Sequence, residues 1–116
     1  GKRLGSTLGF PTVNLRLPAG IIVPAHGVYA TRAVLADGRS FPAVTNVGVR
    51  PTVDAGDTVN VEGYLLDFDG DLYGQEVRME FYAFLRPERR FDSLQALHDE
   101  VMCNARQTRD FFAKVQ

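Results

Sequence analysis

Apolar and polar positions alternate along most of this chain and change period only near its end. Residues 10–17 alternate after Pro11, which predicts a strand with Thr12 and Asn14 on one face. Residues 28–35 and 40–47 flank an Asp37-Gly38 pair. That pair tolerates positive φ, so the two runs read as a β-hairpin closed by a tight turn. Residues 59–68 form another strand-like run, turned by Asp69-Gly70, and residues 75–85 a further one that ends at Arg86-Pro87. The glycine-punctuated segments 1–9, 18–27 and 46–58 read as loops. From Leu94 onward the apolar positions are Leu94, Leu97, Val101, Ala105, Thr108, Phe112 and Val115. Spacings of three and four predict an amphipathic helix over about 93–114. Asp92 and Gln95 are placed to form a capping box at its start.

Short strands followed by one long helix predict a mainly-β domain, a small barrel or sandwich with the helix packed on it. There is no internal repeat, no βαβ alternation and no Gly-x-x-x-x-Gly-Lys-Ser/Thr sequence, so a Rossmann or P-loop domain is not expected. With 116 residues the chain is one domain with a single core. Its net charge of -1 leaves no electrostatic footprint for nucleic acid, and no apolar run is long enough to span a bilayer. The cytoplasm is the default compartment. One cysteine, Cys103, excludes an internal disulfide or a cysteine-based zinc site, and reads as a packing residue beside the helix stripe. His26 and His98 stand alone, and His26 reads as surface.

Three polar features stand out from the apolar pattern. Thr12 and Asn14 offer a hydroxyl and an amide oxygen on one face of a strand entrance. Such hard, neutral donors suit Mg²⁺, which takes much of its charge compensation from substrate phosphates. They equally suit local turn capping beside Pro11. Glu62 lies among apolar neighbours, with Tyr64, Leu66 and Phe68 expected on its face. A desolvated carboxylate has a raised pKa and can serve as a general base, whereas an edge-strand glutamate facing water or an arginine would be ordinary. The LRPERRF stretch places Arg86, Arg89 and Arg90 beside Phe91, either to grip an aromatic ligand or to form a solvated corner. The alternating Asp67, Asp69 and Asp71 lack the glutamate that a calcium loop needs, and read as a hairpin turn.

Taken in order, LGFPTVN, HGVYA, TNVGVRPT, VEGYLLDFDGDLYG and FLRPERRFDSLQAL closely resemble the riboflavin kinase family. More narrowly, they resemble the C-terminal kinase module of bacterial bifunctional FAD synthetases, over essentially the whole chain. The resemblance implies a Greek-key antiparallel β-barrel of about six strands with a C-terminal α-helix. It also implies transfer of the ATP γ-phosphate to the riboflavin 5′-hydroxyl, giving FMN and ADP.

In the sites that the resemblance implies, Thr12 and Asn14 of Pro-Thr-x-Asn bind the Mg²⁺ of MgATP. The preceding loop is a flap that brings Gly1 and Ser6 to the nucleotide, joined by Leu65, Asp67 and Tyr73. Glu62 is the catalytic residue, and Arg86, Arg89 and Phe91 hold the isoalloxazine ring. An FMN adenylyltransferase domain is expected on the N-terminal side in the full-length protein. Three departures accompany the match. The chain begins at the first flap glycine, so a usual first strand is missing from it; Gly63-Tyr64 stands where the family commonly has x-His after the glutamate; Asn104 stands where the helix commonly carries Asp. A flavin- or nucleotide-binding module without turnover, or a β-barrel domain binding RNA or protein, are the alternative readings.

Overall fold

The computed structural model describes residues 9–15, 24–52 and 56–114. The expected flap, including Gly1 and Ser6, lies outside the described residues apart from Gly9. Among the described residues five strands precede one helix. The strands are β1 (Thr12–Leu15), β2 (Gly27–Leu35), β3 (Ser40–Thr52), β4 (Gly56–Leu65) and β5 (Val77–Arg86); the helix is α1 (Leu94–Lys114). All pairings are antiparallel and the strand order is β1-β4-β3-β2-β5. Three consecutive strands form a meander and β1 returns beside the last of them, which is a Greek-key connection. The mainly-β expectation with a C-terminal helix therefore holds. The sheet is not closed: β1 and β5 are its edges, and the described residues supply five strands rather than about six. The edges nonetheless approach each other, because Val13 of β1 and Val77 and Met79 of β5 pack on the same cluster.

The β2–β3 hairpin forms as its Asp37-Gly38 turn predicts. Gly38 has φ 93°, and the Asp37 carboxylate accepts the Arg39 backbone N–H at 3.0 Å. The segment expected as a loop over 46–58 is instead mostly strand, with Arg50 opposite Thr58 and Thr52 opposite Gly56. Gly48 and Pro51 weaken the local strand signal there, but pairing along β4 supplies the hydrogen bonds that local preference does not. β4 in turn ends at Leu65. Asp67 adopts φ 61°, a left-handed turn that a short polar side chain tolerates. Phe68 consequently packs with Leu65, Ala33 and Leu72, and does not share a face with Glu62 as strict alternation predicts.

Each face of the sheet has its own packing. The inner face joins Leu65, Ala33, Leu35 and Ala43 to a second group of Tyr29, Val47 and Val61. Two buried hydroxyls lie within it and satisfy one another. The Thr31 hydroxyl donates to the Ala43 carbonyl at 2.9 Å and sits 2.8 Å from the Thr45 hydroxyl. Gly63 also points inward, where a Cβ would stand 2.6 Å from the Met79 methyl and 3.2 Å from the Thr45 hydroxyl. On the outer face Val28, Val44, Tyr64 and Leu66 pack against Val101 and Ala105 of α1.

The helix starts on a different cap from the expected one. The Ser93 hydroxyl accepts the Ala96 N–H at 3.1 Å, and Gln95 donates to Asp99 at 2.8 Å instead of reaching back. Along α1 the buried residues are Val101, Asn104, Ala105, Thr108 and Phe112. Leu94, expected on the stripe, is 62% exposed, and Cys103 is an exposed thiol rather than a packing residue.

Leu65 is wholly buried in the inner cluster. Leu65→Ala is expected to lower unfolding stability by about 2–5 kcal/mol. Urea denaturation measures it, and a loss under about 1 kcal/mol would mean that this cluster does not hold the sheet together.

Candidate functional site

Strand pairing places the polar outliers side by side. Asn14 of β1 lies opposite Glu62 of β4, which lies opposite Asn46 of β3, which lies opposite Val28 of β2. The neighbouring row on the same face is Thr12, Tyr64, Val44 and Ala30. Thr12 and Asn14, two apart on an extended strand, thus share the face that carries Glu62. The carboxylate and the hydroxyl–amide pair stand on adjacent strands.

Glu62 is buried, 4% exposed. The Tyr64 hydroxyl donates to its Oε1 at 3.1 Å, while Oε2 is buried with no hydrogen-bond partner among the described residues. An unpartnered buried carboxylate oxygen is costly and marks a place prepared for a donor. The Tyr64 phenol is pushed above its ordinary pKa, first by burial and then by the charge of Glu62. It therefore keeps its proton and acts as a donor.

Cavities open on two sides of this row. One, of about 230 Å³, is lined by Glu62, Tyr64, Asn46, Asn60, Val28 and Val44 from the sheet. Leu97, Val101 and Asn104 of α1 line it as well, together with Arg86, Glu88, Arg89 and Phe91 from the approach to the helix. The other is a more open groove of about 740 Å³ lined by residues 9–14 and 70–75, Thr12, Asn14 and Tyr73 among them. The Thr12 hydroxyl donates to the Phe10 carbonyl at 3.2 Å. That bond uses its hydrogen and leaves oxygen lone pairs free, so local capping and cation binding are compatible at this residue. Asn14 is exposed, and Tyr73 is 92% exposed. The turn beneath is ordered by Asp71, which accepts the Tyr73 N–H at 2.9 Å, and whose carbonyl accepts Gln75 Nε2 at 3.0 Å.

Two residues matched to the nucleotide stand apart from this groove. The Leu65 side chain is in the inner core, and its N–H donates to the Pro11 carbonyl at 2.9 Å. Asp67 pairs with Arg109 of α1 at 3.0 Å on the surface. The three residues matched to the flavin come together. The Arg89 and Arg86 guanidiniums lie 4.7 Å and 5.5 Å from the Phe91 ring centroid. Glu100 ties both arginines, at 3.1 Å to each. Asn104, 1% exposed, accepts from Arg86 Nε at 3.1 Å and donates to Glu100 at 3.3 Å and Gln107 at 3.0 Å.

Asn104, Glu100, Asn46 and Tyr64 were not marked as site residues by sequence pattern. Asn104 and Glu100, four apart on a helix, carry the signal of a shared face. Asn46 and Tyr64 carry none before the strand register is known. Asn104 also accounts for its own departure from Asp: an amide accepts from Arg86 and donates to Glu100 at once, which an ionised carboxylate cannot do.

The profile of the flavokinase family, described as riboflavin kinase, matches residues 1–112. The chain belongs to the riboflavin kinase family. Among its relatives, a bifunctional riboflavin kinase/FMN adenylyltransferase of Pseudomonas fluorescens is 45% identical over 101 residues, covering 87% of this chain and 32% of that protein. The protein of the same name from Listeria monocytogenes is 33% identical over 116 residues, covering 100% of this chain and 37% of its own length. The one from Escherichia coli K12 is 38% identical over 112 residues, covering 97% and 35%. The chain thus spans about a third of the length of these relatives. A crystal structure titled a macrolide-efflux protein from Streptococcus pneumoniae superposes with a TM-score of 0.83 at 30% identity, over 94% of this chain and 35% of that one. No described helix is long and apolar enough to cross a membrane.

Asn104→Ala is expected to destabilise the fold by about 1–3 kcal/mol, since Arg86 and Glu100 each lose a buried partner. Chemical denaturation checks it. A midpoint equal to that of the parent would show that the amide contributes nothing to the network.

Proposed function

We propose that this chain is an ATP:riboflavin 5′-phosphotransferase, with Glu62 as its catalytic residue. The carrying observation is the row Asn14–Glu62 between two cavities, with Glu62 Oε2 buried and unpartnered. The cavity lined by Phe91 and the arginines suits the isoalloxazine ring, whose flat face can stack and whose carbonyls can accept from guanidinium. The open groove beside Thr12, Asn14 and Tyr73 suits the nucleotide. Gly1 and Ser6 of the flap, and Leu65 and Asp67 by backbone or outer-edge contact, complete the proposed nucleotide set.

The donors at Thr12 and Asn14 fit Mg²⁺, being hard neutral oxygens on one strand face; the ion, bound with ATP, would offset phosphate charge. The remaining work belongs to the protein. Glu62 holds the riboflavin 5′-hydroxyl in line with the γ-phosphorus and accepts its proton as the new P–O bond forms. The bond from the γ-phosphorus to the ADP oxygen breaks, and the electron pair leaves with ADP. A primary alcohol barely ionises near neutral pH, which is why a carboxylate is needed beside it. The helix and the 86–91 segment shield the carboxylate from water, which would otherwise compete as acceptor.

We further propose that the full-length protein joins this domain to an FMN adenylyltransferase domain, as the names and lengths of the relatives suggest. An exposed free thiol at Cys103 stays reduced in the cytoplasm, the compartment this reading favours.

Incubation with riboflavin and MgATP is expected to give FMN and ADP by product chromatography. Flavin binding without FMN would point to a binding module instead. Glu62→Gln should lower kcat by about 10²–10⁴ with little change in flavin affinity; equal loss of both would make Glu62 structural. Thr12→Ala should raise the Mg²⁺ concentration for half-maximal rate, and an unchanged titration would remove Thr12 from the metal site.

A further inference from the structure

The terminal torsion of a glutamate is broad, so nothing in the side chain itself selects which carboxylate oxygen meets a ligand. At Glu62 something outside the side chain does. Tyr64 stands two residues along the same strand, and its hydroxyl lies 3.1 Å from Oε1. In this bond the phenol is the donor and the carboxylate oxygen the acceptor. The phenol is itself held, 6% exposed, in the cluster where Val44 and Val28 of the sheet meet Val101 and Ala105 of α1.

No other donor to Glu62 is present among the described residues. Arg86 and Arg89, which line the same cavity, are both tied to Glu100. Asn14 and Asn46, its neighbours across the strands, carry amide donors, yet neither bonds the carboxylate. One oxygen is therefore anchored and the other, Oε2, is left buried and unpartnered.

We propose that Tyr64 is a positioning residue, which anchors Oε1 through the sheet–helix core and leaves Oε2 as the oxygen that meets the riboflavin hydroxyl. This rests on the kinase reading for its substrate, but not for the anchoring. It gives the tyrosine at the family's usual histidine position a defined task.

The test is Tyr64→Phe in the full-length protein that carries this domain; phenylalanine keeps the ring in the core and removes only the donor. FMN formation should show kcat reduced about tenfold or more, the scale of a lost hydrogen bond to a charged group, with riboflavin KM within about twofold of the parent. A crystal structure of the variant should show the Glu62 carboxylate turned away from its parental orientation. A kcat within twofold of the parent overturns the proposal, as does a KM that worsens in step with kcat. An unchanged carboxylate orientation in the variant crystal overturns it as well. If the parent protein makes no FMN, the kinase reading fails separately, and the two crystal structures alone decide the anchoring.

Discussion

The structure depends on one antiparallel register, that of β1 against β4. It sets Asn14 opposite Glu62 and Thr12 opposite Tyr64. A slip of one residue would turn Thr12 and Asn14 to the inner face, into contact with the apolar cluster that Val13 now joins. The same slip would separate the hydroxyl–amide pair from the carboxylate. Register is enforced because both faces of β4 are buried, the inner one by Val61 and Leu65 and the outer one by Tyr64 and Glu62. The packing that stabilises the sheet is thus also what aligns the chemistry.

A buried glutamate is a liability that few folds keep without a use. Here its cost is partly offset by the Tyr64 hydroxyl, and the remaining oxygen stays open to a donor. Around it the cationic groups are restrained rather than free. Glu100 holds two guanidiniums and Asn104 holds both Arg86 and Glu100, so the arginines lie against Phe91 and do not collapse onto Glu62. Half-buried, multiply bonded pairs of this kind fix geometry more than they add stability. The helix serves as the second wall of the cavity as well as the lid of the outer core, since Leu97 and Val101 belong to both.

Much of this was legible in the chain alone. The change from period two to period three-and-a-half located α1 within a residue of its start, and the Asp37-Gly38 pair located the first hairpin. The motifs carried the family, and Thr12, Asn14, Glu62, Arg86, Arg89 and Phe91 were singled out as candidate site residues before any fold was known. What misled was local: Gly48 and Pro51 look like loop residues, yet β4 pairs with that segment along its length. Phe81 and Phe84 were also unreadable. Two register shifts in β5 bring both rings onto Tyr29, at 5.2 Å and 5.3 Å, where strict alternation would have parted them.

The sequence by itself determined the kinds of element, their order and the identity of the candidate polar residues, because periodicity and side-chain chemistry are properties of neighbours along the chain. Only the tertiary structure decided which of those residues meet. Asn46 reaches Glu62 through strand pairing and Asn104 reaches Arg86 through helix packing, while Leu65 is drawn into the core and Asp67 out to Arg109. Each of these outcomes is a contact between residues distant in sequence, and such contacts are set by register and by which face is buried, neither of which a local pattern encodes.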